Sequence, residues 1–191
     1  MSCHCWDGAK ANRAQAQNNH EFLIVKDDVL SFNKNAWGET QAFFIWRKTN
    51  MLKPTFEDAL ILAARAHQGQ LDLAGAPYIC HPMRVALAMT SEDQRIVAIL
   101  HDVIEDTAIT YEDLVQAGYS AQIIAAVEAL TKRTGEKRIE AAVRAKANAI
   151  AHAVKIADVK DNMNLARIAQ PSTEDFARLK EYERVLAFLN E

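Results

Sequence analysis

Cysteine is scarce in this chain and a long apolar run is missing, and each shortage narrows what the protein can be. Cys3, Cys5 and Cys80 are too few and too unevenly placed for a disulfide framework. The fold must therefore be held by a packed core, and a reducing, cytoplasmic compartment is expected. No stretch of about 18 apolar residues occurs, and the N-terminus lacks a basic segment followed by an apolar one. Neither a membrane span nor a secretory leader is expected. A basic excess is absent as well. A net charge of −3 does not supply the clustered positive face of a nucleic-acid binder, which leaves a small anionic molecule as the expected partner. The Gly-Lys-Ser/Thr segment of a P-loop is not found either. What remains, 191 residues of which 50% are hydrophobic and 25% charged, suffices for one globular core.

The most informative stretch is His101-Asp102-Val103-Ile104-Glu105-Asp106-Thr107, which places an imidazole and three carboxylates within two turns of an expected helix. It follows Arg95-Ile96-Val97-Ala98-Ile99-Leu100, an apolar helix-forming run that carries the cluster inward. Burying such charges without partners costs several kcal/mol each, and a divalent cation is the usual compensation. Adjacent His101 and Asp102 diverge by about 100° on a helix, and their different reach is expected to bring them onto one ion. Further ligands must come from elsewhere. Upstream, Gly75-Ala76-Pro77-Tyr78-Ile79-Cys80-His81-Pro82 reads as a turn entering a helix whose start suits Pro82, which fixes His81 at the entrance. Downstream, Asp158 and Asn162 stand at i and i+4 on one face of an otherwise apolar helix, where they need partners.

With these segments in view the chain resembles the HD-domain metal-dependent phosphohydrolases, and most closely the (p)ppGpp hydrolase domain of RelA/SpoT-type proteins and the stand-alone small alarmone hydrolases. The resemblance is carried in order by Ala66-His67-Gln68-Gly69-Gln70, Gly75 to Pro82, Leu100 to Thr107, Thr131-Lys132, and Lys155-Ile156-Ala157-Asp158 with Asn162-Met163, within residues 54–168. It implies an all-α fold, a helical bundle with a buried metal site, and one Mn²⁺ ion bound by His81, His101, Asp102 and Asp158. By the same resemblance Glu105 and Asp106 are the catalytic carboxylates and Asn162 lies near the substrate.

The residue types suit that chemistry. Two imidazoles and two carboxylates leave open positions on an octahedral ion, and Mn²⁺ or Fe²⁺ accepts such a mixed set. Bound water becomes hydroxide near neutral pH while the ion draws charge from a phosphoryl oxygen. Glu105 and Asp106 are then placed to orient the water and to move a proton to the leaving 3′-oxygen. The expected reaction is hydrolysis of a 3′-pyrophosphate, leaving GDP or GTP. The chain departs from the family where a basic pair usually precedes the Gly75 turn, reading Leu71-Asp72-Leu73-Ala74, and where Arg usually follows Met163, reading Asn164. Each lost charge-assisted contact to phosphate costs about 1.5–3 kcal/mol. Arg84, Lys132, Lys155 and Arg167 are the local cations that could compensate, with Arg84 and Lys155 expected at the substrate beside Asn162. Two alternatives stay open: an HD-type phosphohydrolase of another nucleotide or phosphate ester, and a non-catalytic nucleotide-binding regulatory domain. No oligomeric state is implied.

Residues 1–50 match none of these segments and are expected to be a peripheral or poorly ordered N-terminal extension to a domain spanning 51–191. They hold the short apolar pieces Phe22-Leu23-Ile24-Val25 and Ala42-Phe43-Phe44-Ile45-Trp46. Cys3-His4-Cys5 lacks zinc-finger spacing. From Thr55 onward the reading is helix after helix: a first amphipathic face on Phe56, Ala59, Leu60, Ala63 and Ala64, then capping boxes at Ser91–Gln94 and Thr110–Asp113. Later helices are expected over 121–133, 137–151, 153–168 and 172–189. His67, Cys80 and His152 are read as structural. The stripe Phe176, Leu179, Tyr182, Val185, Leu186 and Leu189 is read as core packing.

Overall fold

The computed structural model describes the backbone of Leu23–Val25 and Asp28–Leu30, and residues 53–191 in full. The chain divides into two units, Met1–Glu39 and Thr40–Glu191. In the first, β1 (Leu23–Val25) and β2 (Asp28–Leu30) pair as an antiparallel hairpin with Ile24 opposite Val29. The readings made on Cys3, His4 and Cys5 and on Ala42 to Trp46 lie outside the described residues.

The described part of the second unit is built of helices, as the periodicity predicts, and most begin where a side chain satisfies the free backbone donors of the first turn. α1 (Phe56–Ala66) opens on Thr55, whose backbone N–H and hydroxyl donate to Asp58 at 2.6 and 3.0 Å. α2 (Cys80–Leu87) carries Pro82 in its first turn, where a missing N–H costs nothing. α3 (Glu92–Leu100) and α5 (Tyr111–Gln116) start with the capping boxes of Ser91 and Thr110. Gly118, at φ +88°, stops the chain after α5 in a left-handed conformation that a Cβ would strain. α6 (Ala121–Leu130) is capped by Ser120, and α9 (Thr173–Asn190) by Ser172 with Asp175. Among the described residues no helix is long and apolar enough to cross a membrane.

Three boundaries differ from the sequence reading, each for a local reason. α7 (Arg138–Lys146) and α8 (Ala149–Asn162) meet earlier than expected because the Asn148 side chain accepts from Ile150 N and Ala151 N at 3.1 and 3.0 Å. That makes it an N-cap inside an alanine-rich run. α8 also stops at Asn162, and Leu165–Arg167 forms a short 3₁₀ turn behind the Asn164 cap. Most consequential, the helix expected through His101–Thr107 breaks after Leu100 and resumes as α4 (Val103–Asp106).

α3 is the central element. Ile96, Val97, Ala98, Ile99 and Leu100 are all buried, so nearly every face of its C-terminal half is covered, by α1, α2, α6 and α8. Each buried branched side chain contributes about 1.5–3 kcal/mol. The core thus anchors the end of α3, where His101 follows. α7 and α9 cover α8 from the other side through a smaller cluster of Ala142, Val159, Val185 and Leu189. Of the α9 stripe read as core, Val185 and Leu189 are fully buried, whereas Phe176 is 53% exposed at the helix's free N-terminal end. His152 is structural, with Nε2 2.8 Å from the Leu189 carbonyl oxygen.

Candidate metal centre and its carboxylates

Three segments bring four side chains to one place: the first turn of α2 supplies His81, the α3–α4 break supplies His101 and Asp102, and α8 supplies Asp158. His81 Nε2 lies 3.3 Å from Asp158 Oδ1 and 3.7 Å from Asp102 Oδ2. His101 Nε2 lies 2.9 Å from Asp102 Oδ2 and 3.8 Å from Asp158 Oδ1. The donor atoms of His81, His101 and Asp158 all fall within 4.8 Å of one another, and these three residues are buried. Across the break His101 (φ −61°, ψ −30°) and Asp102 (φ −104°, ψ −5°) keep right-handed backbone, and their side chains meet with His101 Nε2 2.9 Å from Asp102 Oδ2.

Each imidazole is oriented through its other nitrogen. His101 Nδ1 lies 2.7 Å from the Ala98 carbonyl oxygen, which accepts only, so Nδ1 carries the hydrogen. His81 Nδ1 lies 2.7 Å from Asp161 Oδ2 and donates to it in the same way. With Nδ1 donating, both rings turn Nε2 toward carboxylate oxygens, as a lone pair in the neutral imidazole and as an N–H when the ring is protonated. His101 Nε2 is buried without a hydrogen-bond partner. Electron-rich atoms facing one another out of water repel unless a cation lies among them. The local field has that sign. Burial opposes charge on both rings, yet Asp102 and Asp158 pull His101 well above its usual value, and Asp158 and Asp161 raise His81. Donors at right angles about 2.1 Å from an ion stand about 3 Å apart, close to the 2.9 and 3.3 Å separations here. The set fits a divalent cation.

The Asp158 and Asp102 carboxylates are braced in turn. Asp158 accepts from Lys155 Nζ at 2.9 Å and from Asn162 Nδ2 at 2.6 Å. Asp102 Oδ2 accepts from the Tyr78 hydroxyl at 2.5 Å, and the same hydroxyl lies 3.3 Å from Asp106 Oδ2. Glu105 and Asp106 sit at the end of α4 toward solvent. Glu105 Oε2 accepts from the Lys132 N–H at 2.9 Å, and Gln70 Nε2 donates to the Asp106 carbonyl at 2.9 Å. His67 lies behind, its Nδ1 2.8 Å from Gln70 Oε1 and its ring 4.8 Å from that of Tyr78. Partial burial, with the charge of Asp102 close by, raises both Glu105 and Asp106 above the ordinary carboxylate value.

The HD domain profile matches residues 59–173. The chain belongs to the HD domain family. Its relatives include the bifunctional (p)ppGpp synthase/hydrolase SpoT of Escherichia coli (strain K12), 38% identical over 78 residues, which are 39% of this chain and 11% of that protein. Another is a guanosine-3′,5′-bis(diphosphate) 3′-pyrophosphohydrolase of Haemophilus influenzae, 44% identical over 89 residues, 44% of this chain and 13% of the relative. The chain thus spans little more than a tenth of the length of these relatives. A solved structure of a metazoan ortholog of SpoT that hydrolyses ppGpp superposes with a TM-score of 0.58 at 23% identity, covering 70% of this chain and 84% of that one. At that identity the likeness speaks for the fold.

In this HD domain the residues expected at the substrate turn toward the protein instead. Arg84 Nε and Nη2 reach Asp161 at 2.6 and 2.9 Å, while Lys155 and Asn162 hold Asp158. Arg167 is tied to Asp72 at 3.0 Å and to the Asp161 carbonyl at 3.1 Å. Of the cations weighed for phosphate binding, Lys132 is the exposed one whose ammonium makes no hydrogen bond or ion pair among the described residues, although its charge acts on Glu105. Leu71 and Leu73 stand 65% and 68% exposed beside Asp72. Sequence reasoning missed Tyr78 and Asp161. The signal for Asp161 was available, a second carboxylate one turn after Asp158 on the same helix. Tyr78 offered only its place three residues before His81.

Proposed function

We propose that this HD domain is a metal-dependent phosphohydrolase acting on guanosine-3′,5′-bis(diphosphate) or its triphosphate counterpart, releasing pyrophosphate from the 3′ position. The observation that carries the reading is the pair of His81 and His101 Nε2 atoms facing Asp102 and Asp158. Glu105 and Asp106 follow them within one turn. Mn²⁺ is the cofactor we assign, with Fe²⁺ chemically equivalent for this donor set, held by His81, His101, Asp102 and Asp158. When bound, the ion supplies an acidified water and withdraws charge from the phosphoryl oxygens.

The chain's own groups divide the remaining work. Glu105, fixed by the Lys132 N–H through one oxygen, has the other free to accept a hydrogen from the attacking water and aim it at phosphorus. Asp106, raised by its surroundings, keeps a proton more readily than an ordinary aspartate and delivers it to the departing 3′-oxygen. The water oxygen bonds to the phosphorus as the bond to the 3′-oxygen breaks, giving pyrophosphate and GDP or GTP. Asn162, Arg84 and Lys155 act by holding Asp158 and Asp161. The remaining anionic contacts fall to Lys132. We assign residues 51–191 to this hydrolytic domain and 1–50 to an extension of it, in a cytoplasmic protein without a nucleic-acid or membrane partner.

A second reading, hydrolysis of another nucleotide or phosphate ester, is favoured by one feature. Asp72 places a carboxylate on the loop before α2, where the family usually has a basic pair, and occupies Arg167. Purified protein with Mn²⁺ is to be offered ppGpp, ordinary nucleoside phosphates and an NADPH-type 2′-phosphate. Pyrophosphate release from ppGpp supports the first reading. Silence toward ppGpp with turnover of another compound establishes the second.

A further inference from the structure

We infer that Arg144, on α7 and outside the site, is a positioning residue for Glu105 that acts through one peptide group. The inference rests on the reading of Glu105 as the carboxylate that orients the attacking water. The peptide joins Thr131 to Lys132. Its N–H donates to Glu105 Oε2 at 2.9 Å, and its carbonyl accepts from Arg144 Nη2 at 2.7 Å. A guanidinium on the carbonyl end of an amide polarises it and strengthens its N–H as a donor. The charge on α7 therefore reaches the catalytic carboxylate without touching it.

The segment needs that support because it has left helical geometry. Thr131 caps α6 with extended backbone, φ −60° and ψ 118°, so its carbonyl has no helical partner of its own. Arg144 is itself fixed by two contacts to the Glu136 carboxylate, and Glu136 Oε2 accepts from the Arg133 N–H at 2.8 Å. Arg144 and Glu136 side chains are only 20% and 11% exposed, which limits their exchange with water. Three successive backbone groups, the Thr131 C=O and the Lys132 and Arg133 N–H groups, are thus held by side chains, two of them by this ion pair. Among the described residues the Lys132 N–H is what fixes the Glu105 carboxylate. A carboxylate displaced by about 1 Å loses on the order of a hundredfold in rate.

The test uses the whole protein with Mn²⁺ and ppGpp in four forms: wild type, Arg144→Met, Glu105→Gln and the double variant. Arg144→Met is expected to lower kcat by about 10- to 100-fold with KM and Mn²⁺ affinity unchanged. The double variant should be no slower than Glu105→Gln alone, since both act on one contact. Independently of turnover, the Lys132 amide resonance, followed by NMR, should move upfield in both single variants. A slow Glu105→Gln beside a normal Arg144→Met overturns the inference and leaves the function standing. Additive losses, or a Lys132 amide unmoved by Arg144→Met, overturn it as well. Full activity in Glu105→Gln instead overturns the role given to Glu105, and the amide shift then decides whether the coupling exists. If Arg144→Met fails to fold, Glu136→Gln weakens the same clamp and must reproduce the smaller kcat loss and the amide shift.

Discussion

Asp72 receives Arg167 at 3.0 Å across 95 positions of sequence, joining the loop before α2 to the turn after α8. The same carboxylate accepts from the Ala74 and Ala76 N–H groups, each at 2.9 Å. It is therefore both the organiser of its loop and a counter-ion of Arg167. Asp72→Asn keeps the oxygen that orders the loop and removes the charge. The expected result is a melting temperature lowered by no more than about 4 °C and a KM for ppGpp reduced several-fold, because one negative charge is gone and Arg167 is left held only by Asp161. Asp72→Ala loses the loop as well and should cost about 1–3 kcal/mol. An unchanged KM in Asp72→Asn would show that the Asp72 charge does not govern substrate choice.

Asp161 is the hub of the second layer, accepting from His81 Nδ1 and gripping both arms of Arg84. Asp161→Asn removes the charge that favours the Nδ1–H form of His81 and frees Arg84 to move. Partners of this kind typically govern about 10- to 100-fold in metal affinity. Mn²⁺ titration by calorimetry should show a loss of that size, whereas His81→Ala should abolish binding. Equal binding by Asp161→Asn and wild type would mean that His81 is oriented by packing alone.

How far the site was legible depended on whether a residue's task left a trace in sequence. His101, Asp102 and Asp158 lie in apolar surroundings where an ionisable side chain is conspicuous, and the caps of α3, α5 and α9 are local patterns. Their positions followed from short-range chemistry. The break after Leu100 did not, because nothing between Ile99 and Glu105 disfavours a helix. It coincides with the end of α3's buried run and with the Tyr78 hydroxyl bonds to Asp102 and Asp106. Nor did the inward turn of Arg84, Lys155 and Arg167, since a lysine or arginine near a phosphate site looks the same in sequence whether it faces substrate or a carboxylate contributed from elsewhere. Arg144 had no signal at all. Its role exists only because α7 folds back over the segment that follows α6.

Tyr78 touches Asp102 and Asp106 with one hydroxyl, and burial followed by the charge of Asp102 keeps that hydroxyl protonated far above its ordinary range. It is a permanent donor between the carboxylate we assign to the metal and the one we assign to proton transfer. Tyr78→Phe leaves the ring against His67 and deletes only this bridge. The expected effect is a drop in kcat of about tenfold or more with a loss of stability of about 1–3 kcal/mol, read from turnover and urea unfolding. A stability loss without a rate loss would make the hydroxyl a brace for Asp102 and nothing more.

Glu136 gives the acid limb of stability a defined signature. Hydrogen bonds from Arg144 hold its carboxyl down to about 2, against an ordinary 4.5. A group whose pKa is lowered on folding contributes stability that is fully present above its unfolded value and disappears as pH falls through the folded one. The contribution of this pair is therefore constant above about pH 5 and fades from there toward pH 2. Glu136→Gln removes the titration but keeps the shape. Urea midpoints measured from neutral to acid pH should show wild type more stable than the variant by a fixed margin near neutrality, with the two curves converging as the pH approaches 2. Other carboxylates, Asp161 among them, also titrate on this limb. They do so in both proteins and cancel in the difference. A margin that persists at the acid end would mean the pair stabilises the α6–α7 connection by shape and packing and not by the charge on Glu136.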